Sequence, residues 1–112
     1  MTALISRDEL HSALGSVTII DALAPDYYAQ QHLPGALNLV EDDVEDAAPR
    51  LLPDKNAPIV VYCANPACGN SQAVAARLER LGYTNVRKYR EGIQDWAEAG
   101  LPVESGQPAQ TR

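Results

Sequence analysis

The stretch Ile59-Val60-Val61-Tyr62-Cys63-Ala64-Asn65-Pro66-Ala67-Cys68-Gly69-Asn70-Ser71-Gln72-Ala73-Val74-Ala75-Ala76-Arg77-Leu78-Glu79-Arg80-Leu81 decides the fold. Its first four residues are β-branched or aromatic, with no polar alternation, which suits a strand buried on both faces. From Ser71 onward Val74, Leu78 and Leu81 recur at helical spacing, with the arginines and Glu79 on the other side. Between strand and helix lies a loop that holds both cysteines of the chain, Cys63 and Cys68. A thiol at the carboxyl end of a buried strand, in a loop feeding a helix N-terminus, is placed for chemistry. Amides from Ala64 through Ser71, if they point inward, stabilise an anion there. The same field is expected to lower the Cys63 pKa and hold it as the nucleophilic thiolate.

The flanking sequence repeats this alternation. Leu4-Ile5 reads as a short opening strand. Ser6 and Glu9 form a capping box, and a helix runs from there to about Leu14, stopped by Gly15. Val17 to Ile20 reads as a strand ending at Asp21. Pro25-Asp26 starts a helical turn through Tyr27, Tyr28 and Gln31. His32-Leu33-Pro34-Gly35 is a turn, and Ala36 to Val40 a short strand. The acidic run Glu41 to Asp46 leads into a helix near Ala47 to Leu52, and its charges suit a solvated helix start. Pro53 to Pro58 is a loop. Beyond Gly82, Asn85 to Tyr89 is the last strand, Glu91-Gly92 a turn, and Ile93 to Ala99 a helix carrying Trp96. Strands alternating with helices predict an α/β class with a mostly parallel sheet. Ligands of such sheets bind beyond the carboxyl ends of the strands, which is where Cys63 falls.

The bulk numbers narrow the function. The chain has 112 residues and is 46% apolar, enough for one domain with its own core. We expect that domain over 1–104 and a polar tail over 105–112. No apolar run reaches membrane-spanning length, and the first residues lack a basic lead followed by a long apolar stretch. A cytoplasmic location, with reduced thiols, is therefore expected. The net charge of −6 disfavours nucleic acid and anionic membranes as partners. Two cysteines do not make a zinc site, and His11 and His32 show no ligand spacing with them. Neither metal nor other cofactor is called for.

Several pieces, in order and spacing, resemble the rhodanese-homology sulfurtransferases. They are Ile19-Ile20-Asp21, His32-Leu33-Pro34-Gly35-Ala36, Val60-Val61-Tyr62-Cys63 before the loop, and Ser71 opening the helix. Leu81-Gly82-Tyr83-Thr84-Asn85-Val86, Glu91-Gly92, Trp96 and Gly100-Leu101-Pro102-Val103 complete the set. The resemblance spans roughly Leu4 to Glu104. It implies a rhodanese-like fold, a five-stranded mostly parallel sheet with helices on both faces. It makes Cys63 the residue that accepts sulfane sulfur as a persulfide. The partners it implies are thiosulfate or a small or protein persulfide donor, and a thiol or cyanide acceptor. Four departures stand out. Ser71 lies eight positions after Cys63, two more than is usual in the family, and the loop has no Arg or Lys. Leu23 stands where an Arg is common, and Glu91-Gly92 replaces Gly-Gly.

Each candidate residue has a plainer alternative. Cys63 is either the nucleophile or a small buried hydrophobe at a strand end. Cys68 is either a resolving thiol for a Cys63 persulfide or sulfenate, or an inert loop residue; spacing leaves both open. Asn65, Asn70 and Ser71 line the loop together with Pro66, Ala67 and Gly69, and Asn70 or Ser71 is expected as an N-cap. His32 reads as structural, Asp21 as a strand-end anchor and Trp96 as core. Two other functions stay open. A non-catalytic binding or regulatory module fits the cation-free loop and acidic surface. Related phosphatases and arsenate reductases end the cysteine loop with an oxyanion-clamping Arg, and positions Ala64 to Asn70 hold none.

Overall fold

The computed structural model describes residues 2–106. Five strands form one parallel sheet: β1 (Ala3–Leu4), β2 (Thr18–Asp21), β3 (Leu37–Asn38), β4 (Ile59–Tyr62) and β5 (Val86–Tyr89). Their spatial order is β1-β5-β4-β2-β3. Four helices connect them, α1 (Arg7–Ser12), α2 (Pro25–Gln30), α3 (Val44–Leu51) and α4 (Asn70–Arg80), and α5 (Gly92–Glu98) follows the last strand. The α/β class and parallel sheet read from the sequence are both present.

β4 is central, pairing with β2 on one side and β5 on the other. All four of its residues are buried, which explains why its sequence lacks polar alternation. Ile59 and Val61 face one core, with Ile20, Val44, Ala48, Val74 and Leu78 from β2, α3 and α4. Val60 and Tyr62 face the other, with Leu10, Ile19, Tyr28, Ile93 and Trp96 from α1, β2, α2 and α5. Two layers of helices over one sheet therefore arise from a single alternation of side-chain direction along β4.

Most elements lie within two residues of their expected positions. The capping box forms, with the Glu9 amide donating to Ser6 Oγ and the Ser6 amide to Glu9 Oε1. One expectation needs correction. The acidic run is not a lead-in to a helix at Ala47. Glu41–Asp43 is a 3₁₀ turn, and α3 starts at Val44. The helix is set by an apolar stripe at 44, 47, 48 and 51, whose first member is fully buried. Arg77 of α4 binds Glu41 at 3.4 Å and Glu45 at 3.0 Å, so part of the run is paired within the chain.

The far end of the chain is tied back. His32 and Glu104 exchange backbone hydrogen bonds, and the Gly106 amide donates to the Ala29 carbonyl. The tail expected over 105–112 thus begins attached; from 107 on it lies outside the described residues. Among the described residues no helix is long and apolar enough to cross a membrane.

Candidate active site

The chain leaves the sheet at Cys63, and α5 holds it as it leaves. The Ile93 amide donates to the Cys63 carbonyl at 2.9 Å and the Gln94 amide to the Ala64 carbonyl at 3.0 Å. So close an approach requires Gly92. Its φ is +77°, and a Cβ there would lie 2.6 Å from the backbone of Cys63 and Ala64. Sequence reading took Glu91-Gly92 only as a turn; its role in fixing the cysteine depends on contact with a loop nearly thirty positions away.

Asn65 shapes the loop. Its Oδ1 accepts from the Ala67 amide at 3.0 Å, its carbonyl accepts from the Cys68 amide at 3.1 Å, and its Nδ2 donates to Gln94 Oε1 at 3.2 Å. The loop turns back over Cys63 as a result, with Pro66 and Ala67 exposed at its tip. The helix that follows is not capped as expected. Gly69 is the N-cap, and neither Asn70 nor Ser71 caps through its side chain. Asn70 Nδ2 instead donates to the Ala22 carbonyl at 3.4 Å, and Ser71 Oγ turns to Cys63.

Cys63 is 1% exposed. Two acceptors lie 3.4 Å from its sulfur, Ser71 Oγ and the Cys68 carbonyl, and either can take its one S–H. These contacts reverse the expected ionisation. Burial pushes the Cys63 thiol above its ordinary value, and the Cys68 side chain pushes in the same direction. The side chain and amide of Ser71 pull it back only in part. Cys68 behaves in the opposite way. Burial opposes its thiolate, but the Cys63 thiol and the amides of Ala64 and Asn70 outweigh that and bring it below the ordinary value. Of the amides foreseen around Cys63, that of Ser71 favours its thiolate, while those of Ala64 and Asn70 favour the Cys68 thiolate. Both residues are free cysteines.

The surroundings keep the strand ends rigid. Asp21, fully buried at the end of β2, accepts from the Tyr62 hydroxyl at 2.6 Å and the Leu23 amide at 2.8 Å. The Tyr62 hydroxyl in turn accepts from the Leu33 amide at 3.0 Å. Burial raises the Asp21 carboxyl, with the phenol and amide opposing it. This links the His32-Leu33-Pro34-Gly35 turn to the base of the cysteine strand, through a phenol that sequence reading took only as strand filling. His32 stays structural: Nδ1 donates to the Tyr28 carbonyl at 2.7 Å, and its ring stacks on Tyr28. Trp96 is core, its Nε1 donating to the Pro102 carbonyl. A cavity of about 260 Å³ opens beside Asn65 and Pro66, with Glu91, Asp95 and Glu98 on its walls. Among the described residues no group of three or more His, Cys, Asp or Glu is arranged to hold a metal.

Comparison with known proteins agrees with this geometry. Residues 6–99 match the rhodanese-like domain model. The chain is 34% identical over 79 residues to the thiosulfate sulfurtransferase PspE of Escherichia coli, covering 70% of this chain and 72% of that one. It is 33% identical over 106 residues to the HTH-type transcriptional regulator Rv0324 of Mycobacterium tuberculosis, which covers 93% of this chain. There the match spans 46% of the relative, about half its length. Among solved structures, the human single-domain sulfurtransferase TSTD1 superposes with a TM-score of 0.75 at 26% identity, covering 88% of this chain and 97% of that one.

Proposed function

Since this chain belongs to the rhodanese-like family, we propose that it is a sulfurtransferase that carries sulfane sulfur as a persulfide on Cys63. One observation carries the reading: the Cys63 sulfur lies at the carboxyl end of the central strand, facing the hydroxyl and amide of Ser71 at the start of α4. The Cys63 thiolate attacks the outer sulfur of the donor. With thiosulfate, sulfite leaves with the bonding pair; with an organic persulfide, a thiolate leaves. A thiol or cyanide then takes the same sulfur, and the Cys63 thiolate is the leaving group. Sulfur stays at the sulfane level throughout, so no cofactor is required.

The partners are thus a small sulfur donor and acceptor, or a protein carrying a persulfide. Persulfide donors suit this site better than thiosulfate, because no Lys or Arg lies between Cys63 and Ser71. The same lack counts against arsenate reductase or phosphatase chemistry. A reducing compartment such as the cytoplasm is the location we propose, because the cycle uses free thiols. A second reading is favoured by the match to a transcriptional regulator: a sulfur-sensing or binding module whose readout lies in an attached domain.

The test is to incubate reduced protein with thiosulfate or an organic persulfide and weigh it intact. Gain of sulfur that maps to Cys63 and is lost in Cys63→Ser supports transfer. Failure to load with either donor removes it and leaves the binding module.

A further inference from the structure

We propose that Cys68 is the resolving thiol of this site: it attacks the Cys63 sulfur of the persulfide, closes a Cys63–Cys68 disulfide and expels the sulfane sulfur as hydrosulfide. The inference rests on the persulfide reading above and adds a second activity to it, reduction of sulfane sulfur.

Three features of the loop point to it. First, the loop folds back so that the Cys68 backbone reaches the Cys63 thiol, with 3.4 Å between the Cys63 sulfur and the Cys68 carbonyl. The two thiols also lie close enough to shift each other's ionisation. Asn65 holds that turn from inside. Second, the amides of Ala64 and Asn70 favour the Cys68 thiolate, the form that attacks. In-line displacement needs that thiolate on one side of the Cys63 sulfur and the departing sulfur on the other. Third, the persulfide and Cys68 share one proton and so hold one negative charge in a loop without a cation. A neutral disulfide plus a diffusible hydrosulfide carries that charge away.

The step balances. The bond between the two cysteine sulfurs forms, and the bond between Cys63 and the sulfane sulfur breaks. The bonding pair and the one proton shared by the two groups leave as hydrosulfide. The Cys68 sulfur is oxidised, the Cys63 sulfur stays at the disulfide level, and the sulfane sulfur is reduced to sulfide. The protein then stops until a low-molecular-weight thiol reduces the disulfide, which regenerates both cysteines and yields an oxidised thiol pair. Transfer to cyanide and resolution by Cys68 compete for the same persulfide.

The experiment compares wild type with Cys68→Ser, both reduced and freed of thiol. Each receives thiosulfate or, in parallel, an organic persulfide purified from excess thiol. Hydrosulfide is trapped with a bimane reagent, and the proteins are weighed intact and mapped. Wild type is expected to release a stoichiometric burst of hydrosulfide, to end two hydrogens lighter with Cys63 linked to Cys68, and to resume when a thiol is added. Cys68→Ser is expected to give no burst and to keep the sulfur on Cys63 until cyanide removes it. Wild type that keeps the added sulfur with both cysteines unlinked overturns the proposal, even with Cys68→Ser misfolded. So does an equal burst from Cys68→Ser, or sulfur that maps as a persulfide on Cys68. If neither protein loads or releases sulfur, the persulfide reading falls as well. If Cys68→Ser loads and wild type yields no hydrosulfide, only the resolving role falls.

Discussion

Opposite shifts of the Cys63 and Cys68 thiols set an order of reactivity. Burial raises the first thiol, while hydrogen bonds lower the second against the effect of burial. Only the thiolate is nucleophilic, so near neutral pH iodoacetamide should label Cys68 first. Cys63 labelling should keep rising as pH passes the ordinary thiol value. Site-resolved mass spectrometry across a pH series reads this directly, and faster labelling of Cys63 at neutral pH would reverse the assignment. Asp21 offers a second test. Its folded-state pKa is raised, so its contribution to stability is complete below the ordinary carboxyl value and is lost as pH climbs through the raised one. The Tyr62 hydroxyl limits that loss by donating to the charged form. Tyr62→Phe removes that donor and leaves the Leu33 amide without its acceptor. We expect it to lower the unfolding free energy at neutral pH by about 1–3 kcal/mol in urea titrations. A change under ~0.5 kcal/mol would mean that neither bond contributes much net stability.

At the scale of elements, the junction between α5 and the cysteine strand governs the site. Gly92 and Gly100 flank that helix at almost the same dihedral, φ +77° and +78°. A Cβ at Gly100 meets nothing within 4 Å, whereas one at Gly92 runs into the Cys63 and Ala64 backbone. Gly100→Ala should therefore cost only the left-handed strain, about 1–2 kcal/mol, and leave sulfur loading intact. Gly92→Ala should cost clearly more and slow loading of Cys63, because the first turn of α5 must back away from the carbonyls it holds. Paired unfolding curves and loading rates for the two variants decide it. Equal losses would mean that the loop does not need α5 in this position.

Across the whole molecule, charge decides the donor. The chain carries −6, the loop has no cation, and the cavity beside it is walled by Glu91, Asp95 and Glu98. Asp95 is partly neutralised by Arg7 at 3.2 Å. A dianion such as thiosulfate meets this field before it meets any amide. The expected outcome is a high KM for thiosulfate that falls as salt screens the field, and a smaller salt effect on persulfide donors of lower charge. Ala67→Arg, at the exposed loop tip, should lower the thiosulfate KM several-fold with a smaller change in kcat, since charge-assisted donors are about twice as strong as neutral ones. Steady-state kinetics at two ionic strengths check both. A low thiosulfate KM in the unmodified protein would show that the loop cation is dispensable.

Interactions between near neighbours in the chain were readable from the sequence. The Ser6 and Glu9 capping box spans three positions, and β4 shows its double burial as an unbroken apolar run. Both thiols in one loop, at the end of the central strand, follow from the order of residues, as does the net acidity. The α3 boundary is less legible, because the acidic run Glu41 to Asp46 overlaps the start of the buried stripe at Val44. Strand order and the fit of Gly92 against Cys63 depend on residues far apart in sequence, and no periodicity encodes them. Which thiol is raised and which is lowered was decided by tertiary structure alone. A pKa responds to burial and to the direction of each nearby dipole over a few ångströms. The sequence showed that amides were available around Cys63. Only the folded loop brought the Cys68 carbonyl onto Cys63 and let the amides of Ala64 and Asn70 favour the Cys68 thiolate.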